Sequence, residues 1–164
     1  MPDHVFSLLD DDGLLVVVSG TAFRSVFSAR SFDYDFPREI VRGVRERWCV
    51  PVPTAGGGGD VRVELSFVPF LSEDGWQLDL AGEGDLIVMP YSQFTFAADG
   101  GGTVEGIDGL SYEVRGLGRG TYEVLAESRI ARGGACDALS LISLSPAQRH
   151  RVNVIEDAWT LAVG

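Results

Sequence analysis

The chain has 164 residues, 13 arginines, no lysine and 24 acidic side chains, giving a formal net charge of −11; 45% of residues are hydrophobic and 21 are glycine. That length suits one domain, 1–164, able to bury roughly 70% of its unfolded surface, and the glycine excess points to many turns between short strands. The charge makes nucleic acid a poor partner, and its excess is either incidental or points to a cationic partner.

The N-terminus, MPDHVFSLLDDDG, has no basic region ahead of an apolar run, and no stretch approaches the 18 or more apolar residues of a membrane span. A cytoplasmic protein away from membranes is expected, with Cys49 and Cys136 as reduced thiols. Val5 to Leu9 and Leu14 to Ser19 flank an acidic turn ending in Asp-Gly, which predicts an opening hairpin. The second run, LLVVV, is apolar on both faces and calls for cover on both sides, from a sheet or a helix. Thr21 to Tyr34 reads as an extended segment with imperfect alternation.

Asp35 to Trp48 carries the strongest helix signals. Asp35 can cap it, Pro37 suits the first turn, and Glu39 lies near the positive end of the dipole. Ile40, Val41, Val44 and Trp48 form one stripe, and Arg38, Arg42, Arg45 and Arg47 lie mostly off it. Gly43 opposes the helix by about 1 kcal/mol relative to alanine. Pro51 and Pro53 prevent its continuation.

TAGGGGD, from Thr54 to Asp60, leads into a strand, whereas a phosphate-binding glycine loop leads from a strand into a helix. Val61 to Phe70 then shows the clearest period-two pattern in the chain. Val61, Val63, Leu65 and Phe67 share one face, and Arg62, Glu64 and Ser66 share the other. LSEDG and the alternating Trp76 to Leu80 complete a predicted central hairpin. Leu86 to Phe96 reads as a long extended run in which Pro90 marks an edge, a bulge or a break between two strands. Leu110 to Arg115 and Thr121 to Ala126 predict another hairpin around RGLGRG. Arg132 to Asp137 reads as loop, Ala138 to Leu144 is apolar with ambiguous period, Ser145-Pro146 can start a helical turn, and Val152 to Val163 reads as a closing strand. The expected fold is mainly β: an antiparallel sandwich or partly open barrel of short strands and hairpins, with one main α-helix at about residues 36–48.

No motif of catalytic, cofactor-binding or metal-binding specificity appears. Asp10, Asp11 and Asp12 are contiguous, so they lack the alternating ligands of a calcium loop. His4 and His150 stand at opposite ends of the chain, and neither Cys49 nor a carboxylate marks them as ligands or as a nucleophile's base. No metal or cofactor is expected.

The acidic residues concentrate between Asp60 and Glu127, where Glu64, Asp79, Glu113 and Glu123 alternate outward on predicted strands. This pattern predicts a non-catalytic protein-binding module, of inhibitor or immunity type, that turns an acidic sheet face to a basic protein such as a nuclease. One alternative is a small-ligand domain or enzyme with a cleft lined by Trp76, Tyr91, Phe94 and Trp159. Another is a structural subunit of a homo-oligomer paired through sheet edges.

Overall fold

A computed structural model describes residues 2–9, 12–28, 35–54, 60–67, 76–103, 109–131 and 134–143. Among these, nine strands and three helices form two sheets and a helical layer. The strands are β1 (His4–Leu9), β2 (Leu14–Ser19), β3 (Cys49–Pro53), β4 (Asp60–Phe67), β5 (Trp76–Leu80), β6 (Leu86–Pro90), β7 (Tyr112–Val114), β8 (Gly120–Ala131) and β9 (Gly134–Ser143). The helices are α1 (Gly20–Phe27), α2 (Phe36–Arg45) and α3 (Tyr91–Asp99). The expected tetraglycine loop, LSEDG turn, Ser145-Pro146 turn and closing strand lie outside the described residues, as do Asp10, Asp11, His150 and Trp159. No helix among the described residues is long and apolar enough to cross a membrane.

The larger sheet runs β1-β4-β9-β8-β5 and the smaller β3-β2-β6-β7. Pairings are antiparallel except β4 with β9, and neither sheet closes into a barrel among the described residues. The sheets face each other across one apolar core, to which Leu8, Val63, Leu65 and Leu78 come from the larger sheet and Leu15, Val17, Val52 and Val88 from the smaller. On the other face of the smaller sheet, Val16, Val18 and Met89 pack against Phe23, Phe27, Ile40 and Phe94 of the helices. The two-faced apolar run of β2 thus receives both kinds of cover, a sheet on one side and helices on the other.

α2 forms where its local signals place it. Asp35 accepts the Arg38 amide at 3.2 Å, Pro37 occupies the first turn, and Ile40, Val41 and Val44 are buried. It stops at Arg45, short of Trp48, because Arg47 turns to a left-handed φ of 65° and carries the chain into β3.

Most strand positions agree with the alternation, but β3 forms where only a stop to the helix was expected, β9 takes in residues 134–137 that were expected as loop, and three expected pairings are corrected. β1 and β2 are not a hairpin: β1 pairs with β4, and β2 pairs with β3 and β6. β1 has one buried face, Phe6 and Leu8, and suits an edge; β2 buries both faces and takes a central place. β4 and β5 share a sheet with β9 and β8 between them, so they form no hairpin either. β7 and β8 lie in different sheets, and the partner of β8 across its long pairing is β9. Alternation specifies which face is buried and leaves the neighbour open.

Two extended readings are also corrected. Gly20–Phe27 is helix α1, in which Phe23 and Phe27, four residues apart, share the buried stripe. Leu86 to Phe96 breaks at Pro90: β6 ends there and α3 begins, with Phe94, Ala97 and Ala98 buried and Phe96 75% exposed. Phe94 and Phe96 therefore lie on different faces of a helix.

Candidate functional site

The joint between β2 and α1 is organised by a residue from another part of the chain. Asp85, buried at the end of the turn between β5 and β6, accepts hydrogen bonds from Ser19 Oγ at 2.6 Å, Thr21 N at 2.7 Å, Thr21 Oγ1 at 2.7 Å and Ala81 N at 2.8 Å. Its own carbonyl accepts the Gly20 amide at 2.7 Å. Ser19 holds the N-cap position of α1, yet its side chain does not cap the helix; the Asp85 carboxylate takes the Thr21 amide instead. Burial alone pushes the Asp85 carboxyl up, but the bonds from Ala81, Ser19 and Thr21 outweigh it and hold the group below the usual carboxylate range.

Beside this joint runs an open groove of about 940 Å³ between α1 and the paired ends of β5 and β8. Ser19, Thr21 and Ser25 line it on the α1 side; Asp79, Arg119 and Thr121 line it on the strand side. Thr121 stands opposite Asp79 in the β5–β8 register, and its hydroxyl donates to Asp79 Oδ1 at 2.6 Å. A smaller recess of about 310 Å³ adjoins it across Thr21 and Ala81, walled by Arg24, Glu83 and Asp85. Glu83 accepts the Gly116 amide at 2.7 Å. Gly84, with φ of 74°, passes so close to Glu113 that a Cβ there would collide with the Glu113 carboxylate. No group of three His, Cys, Asp or Glu able to hold a metal ion occurs among the described residues.

The four carboxylates singled out from the sequence do not share one exposed face. Glu64 lies on β4 and is ion-paired with Arg62 at 3.2 Å. Asp79 is exposed in the groove. Glu123 is opposite Gln77 in register, and only 1% of its surface is exposed. Glu113 belongs to the other sheet, on β7, where it pairs with Arg115 at 3.2 Å. The helix arginines are partly spent locally: Arg42 pairs with Glu39 at 3.6 Å and Glu46 at 3.1 Å.

The other candidates take structural positions. His4 bridges the sheets, with Nδ1 2.8 Å from the Tyr112 hydroxyl and Nε2 2.8 Å from the Arg115 carbonyl. Cys49 is buried, and burial pushes its thiol far above the ordinary range. Phe94 is sealed between the helices and the smaller sheet, and Trp76 packs against the inter-sheet core and against Val41 and Val44, so the groove has no aromatic lining among the described residues. Sequence reasoning finds Asp79 and misses Ser19, Thr21, Asp85, Arg119 and Thr121. They come from β2, α1, the β5–β6 turn, the β7–β8 connection and β8, and no local spacing connects them.

No family model and no curated protein matches the chain. Among solved structures, it is similar to a protein described as crocagin biosynthetic gene J, with a TM-score of 0.54, 13% identity, and coverage of 88% of this chain and 100% of that one. ComJ from Bacillus subtilis, inhibitor of the DNA degrading activity of NucA, gives a TM-score of 0.47 and 6% identity over 88% of this chain and 98% of that one. At 13% identity, the likeness to the crocagin protein is one of fold.

Proposed function

We propose that this protein is a non-catalytic binding module of inhibitor or immunity type, presenting an acidic surface to a basic protein such as a nuclease. The observation that carries the reading is how its negative charge is held. Thr121 supports Asp79, the Gly116 amide supports Glu83, the Phe67 amide supports Asp3, and Ser19, Thr21 and Ala81 support Asp85. These are neutral donors. They fix the carboxylates in place without cancelling their charge, so the net charge of −11 is expressed as a field around the molecule. Such a field speeds encounter with a cationic surface and repels nucleic acid. The reading rests on charge and not on the fold neighbours.

Affinity capture from a lysate of the source organism, with a salt step for elution, tests it. Raising ionic strength from about 0.01 M to about 1 M shortens the screening length from about 30 Å to about 3 Å, so a partner held by charge comes off. The expected result is a stoichiometric basic protein that is released by salt and is not retained by an Asp79→Lys/Glu83→Lys variant. Retention indifferent to both salt and charge reversal, or no specific retention, counts against the reading.

A further inference from the structure

Hydrogen-bond direction around the groove restricts what can bind in it. The Asp85 carboxylate, held as an anion by four donors, can only accept, so the protons of Ser19 Oγ and Thr21 Oγ1 both point at it. On the opposite wall the Thr121 proton is committed to Asp79 Oδ1. Three of the hydroxyls that line the groove therefore have only lone pairs left to offer. Asp79 Oδ2 adds a fourth acceptor, with no hydrogen bond or ion pair among the described residues. Arg119 lines the same groove and makes no ion pair with Asp79, so the two opposite charges leave each other available.

An acceptor-rich groove with a fixed carboxylate suits a group that brings several N–H donors and a positive charge. Guanidinium has five such donors and ammonium three. We propose that this groove, between α1 and the β5–β8 edge, receives an arginine or lysine side chain of the protein partner; the assignment rests on the protein-binding reading above. Asp79 meets the cation, Thr21 and Thr121 accept its remaining N–H groups, and Arg119 at the strand side donates to carbonyls of the inserted segment. Holding the carboxylate by Thr121 in advance reduces the ordering that binding requires.

The test is an NMR titration of the 15N-labelled protein with N-acetyl-arginine amide and, as the uncharged counterpart, N-acetyl-citrulline amide. The arginine probe should bind weakly but saturably, shifting the amides of Thr21, Ser25, Ala81 and Thr121, and citrulline should not. Asp79→Asn should weaken the probe on the order of tenfold, the scale of one charged hydrogen bond. Ser25→Arg, on the exposed face of α1, should fill the groove with its own guanidinium and weaken binding similarly. Amide spectra of both variants report whether the fold is intact. Shifts that miss the groove, or affinities unchanged in both folded variants, would overturn the assignment. Capture separates this from the parent reading. A basic protein retained equally by wild type and both variants overturns the groove and leaves the binder standing; probe binding in the groove with no protein retained supports the cation site and removes the partner.

Discussion

A Cβ placed on Gly43 would stand 2.6 Å from the Cβ of Cys49 and 2.9 Å from the indole of Trp48. The glycine in the middle of α2 is therefore set by packing, because β3 and the residue before it pass directly beneath the helix. Gly43→Ala improves helix propensity by about 1 kcal/mol but overpacks the contact, at a typical cost of roughly 1–3 kcal/mol. Cys49 Cβ is tied to the backbone of a paired strand and cannot swing aside, which places the cost at the upper end. A net destabilisation of about 1–2 kcal/mol is expected, read as a lower urea midpoint at unchanged m-value.

Replacing Asp85 should loosen the β2–α1 joint. Asparagine offers one acceptor oxygen where the carboxylate serves Ser19, Thr21 and Ala81, so Asp85→Asn should cost roughly 2–4 kcal/mol at pH 7. The native carboxyl lies below its unfolded value of about 3.9, so its contribution is complete above that value and is lost as pH falls through the native one. The stability gap between wild type and variant should stay constant from about pH 7 to about pH 5 and narrow below about pH 4. Urea titrations of both proteins across that range measure it. A gap that widens towards acid would show that the carboxylate is not what holds the joint.

The Tyr112 hydroxyl is a smaller contribution of the same kind. A carbonyl only accepts, so His4 Nε2–H donates to Arg115, and Nδ1 shares a hydrogen bond with the Tyr112 hydroxyl. The Tyr112 ring also stacks on Phe6 with centroids 3.9 Å apart and planes 2° from parallel. Tyr112→Phe keeps the stack and should cost about 1 kcal/mol, whereas Tyr112→Ala should cost roughly 2–4 kcal/mol. Paired denaturation curves separate the two terms.

Cys49 should be chemically silent in the folded protein. It is completely buried, and the thiolate that would react is strongly disfavoured. At pH 8, alkylation by iodoacetamide followed by peptide mapping should leave Cys49 unmodified natively and modify it fully in denaturant; mapping distinguishes it from Cys136. Fast native labelling of Cys49 would require the contact with α2 to open locally.

How far the chain could be read differs from element to element. α2 is legible because its cap, proline and apolar stripe lie within ten residues of one another. α1 is not, since Phe23, Val26 and Phe27 are residue types that strands also favour, and the helix begins on a carboxylate more than sixty residues away. Asp79 is legible as an outward carboxylate on an alternating run, but nothing in that run indicates that Thr121 fixes it or that Ser25 and Arg119 share its groove.

By itself the sequence determined the β-rich class, the positions of most strands, the two-sided cover of β2 and the excess negative charge. Period, propensity and ionisation are properties of neighbouring residues or of simple sums, so they survive without coordinates. Only the tertiary structure decided that β4 pairs in parallel with β9, that β7 and β8 part to different sheets, and that Ser19, Thr21, Asp79 and Thr121 converge. Those relations depend on which faces are buried together, and one alternating pattern fits many neighbours equally until the whole core is packed.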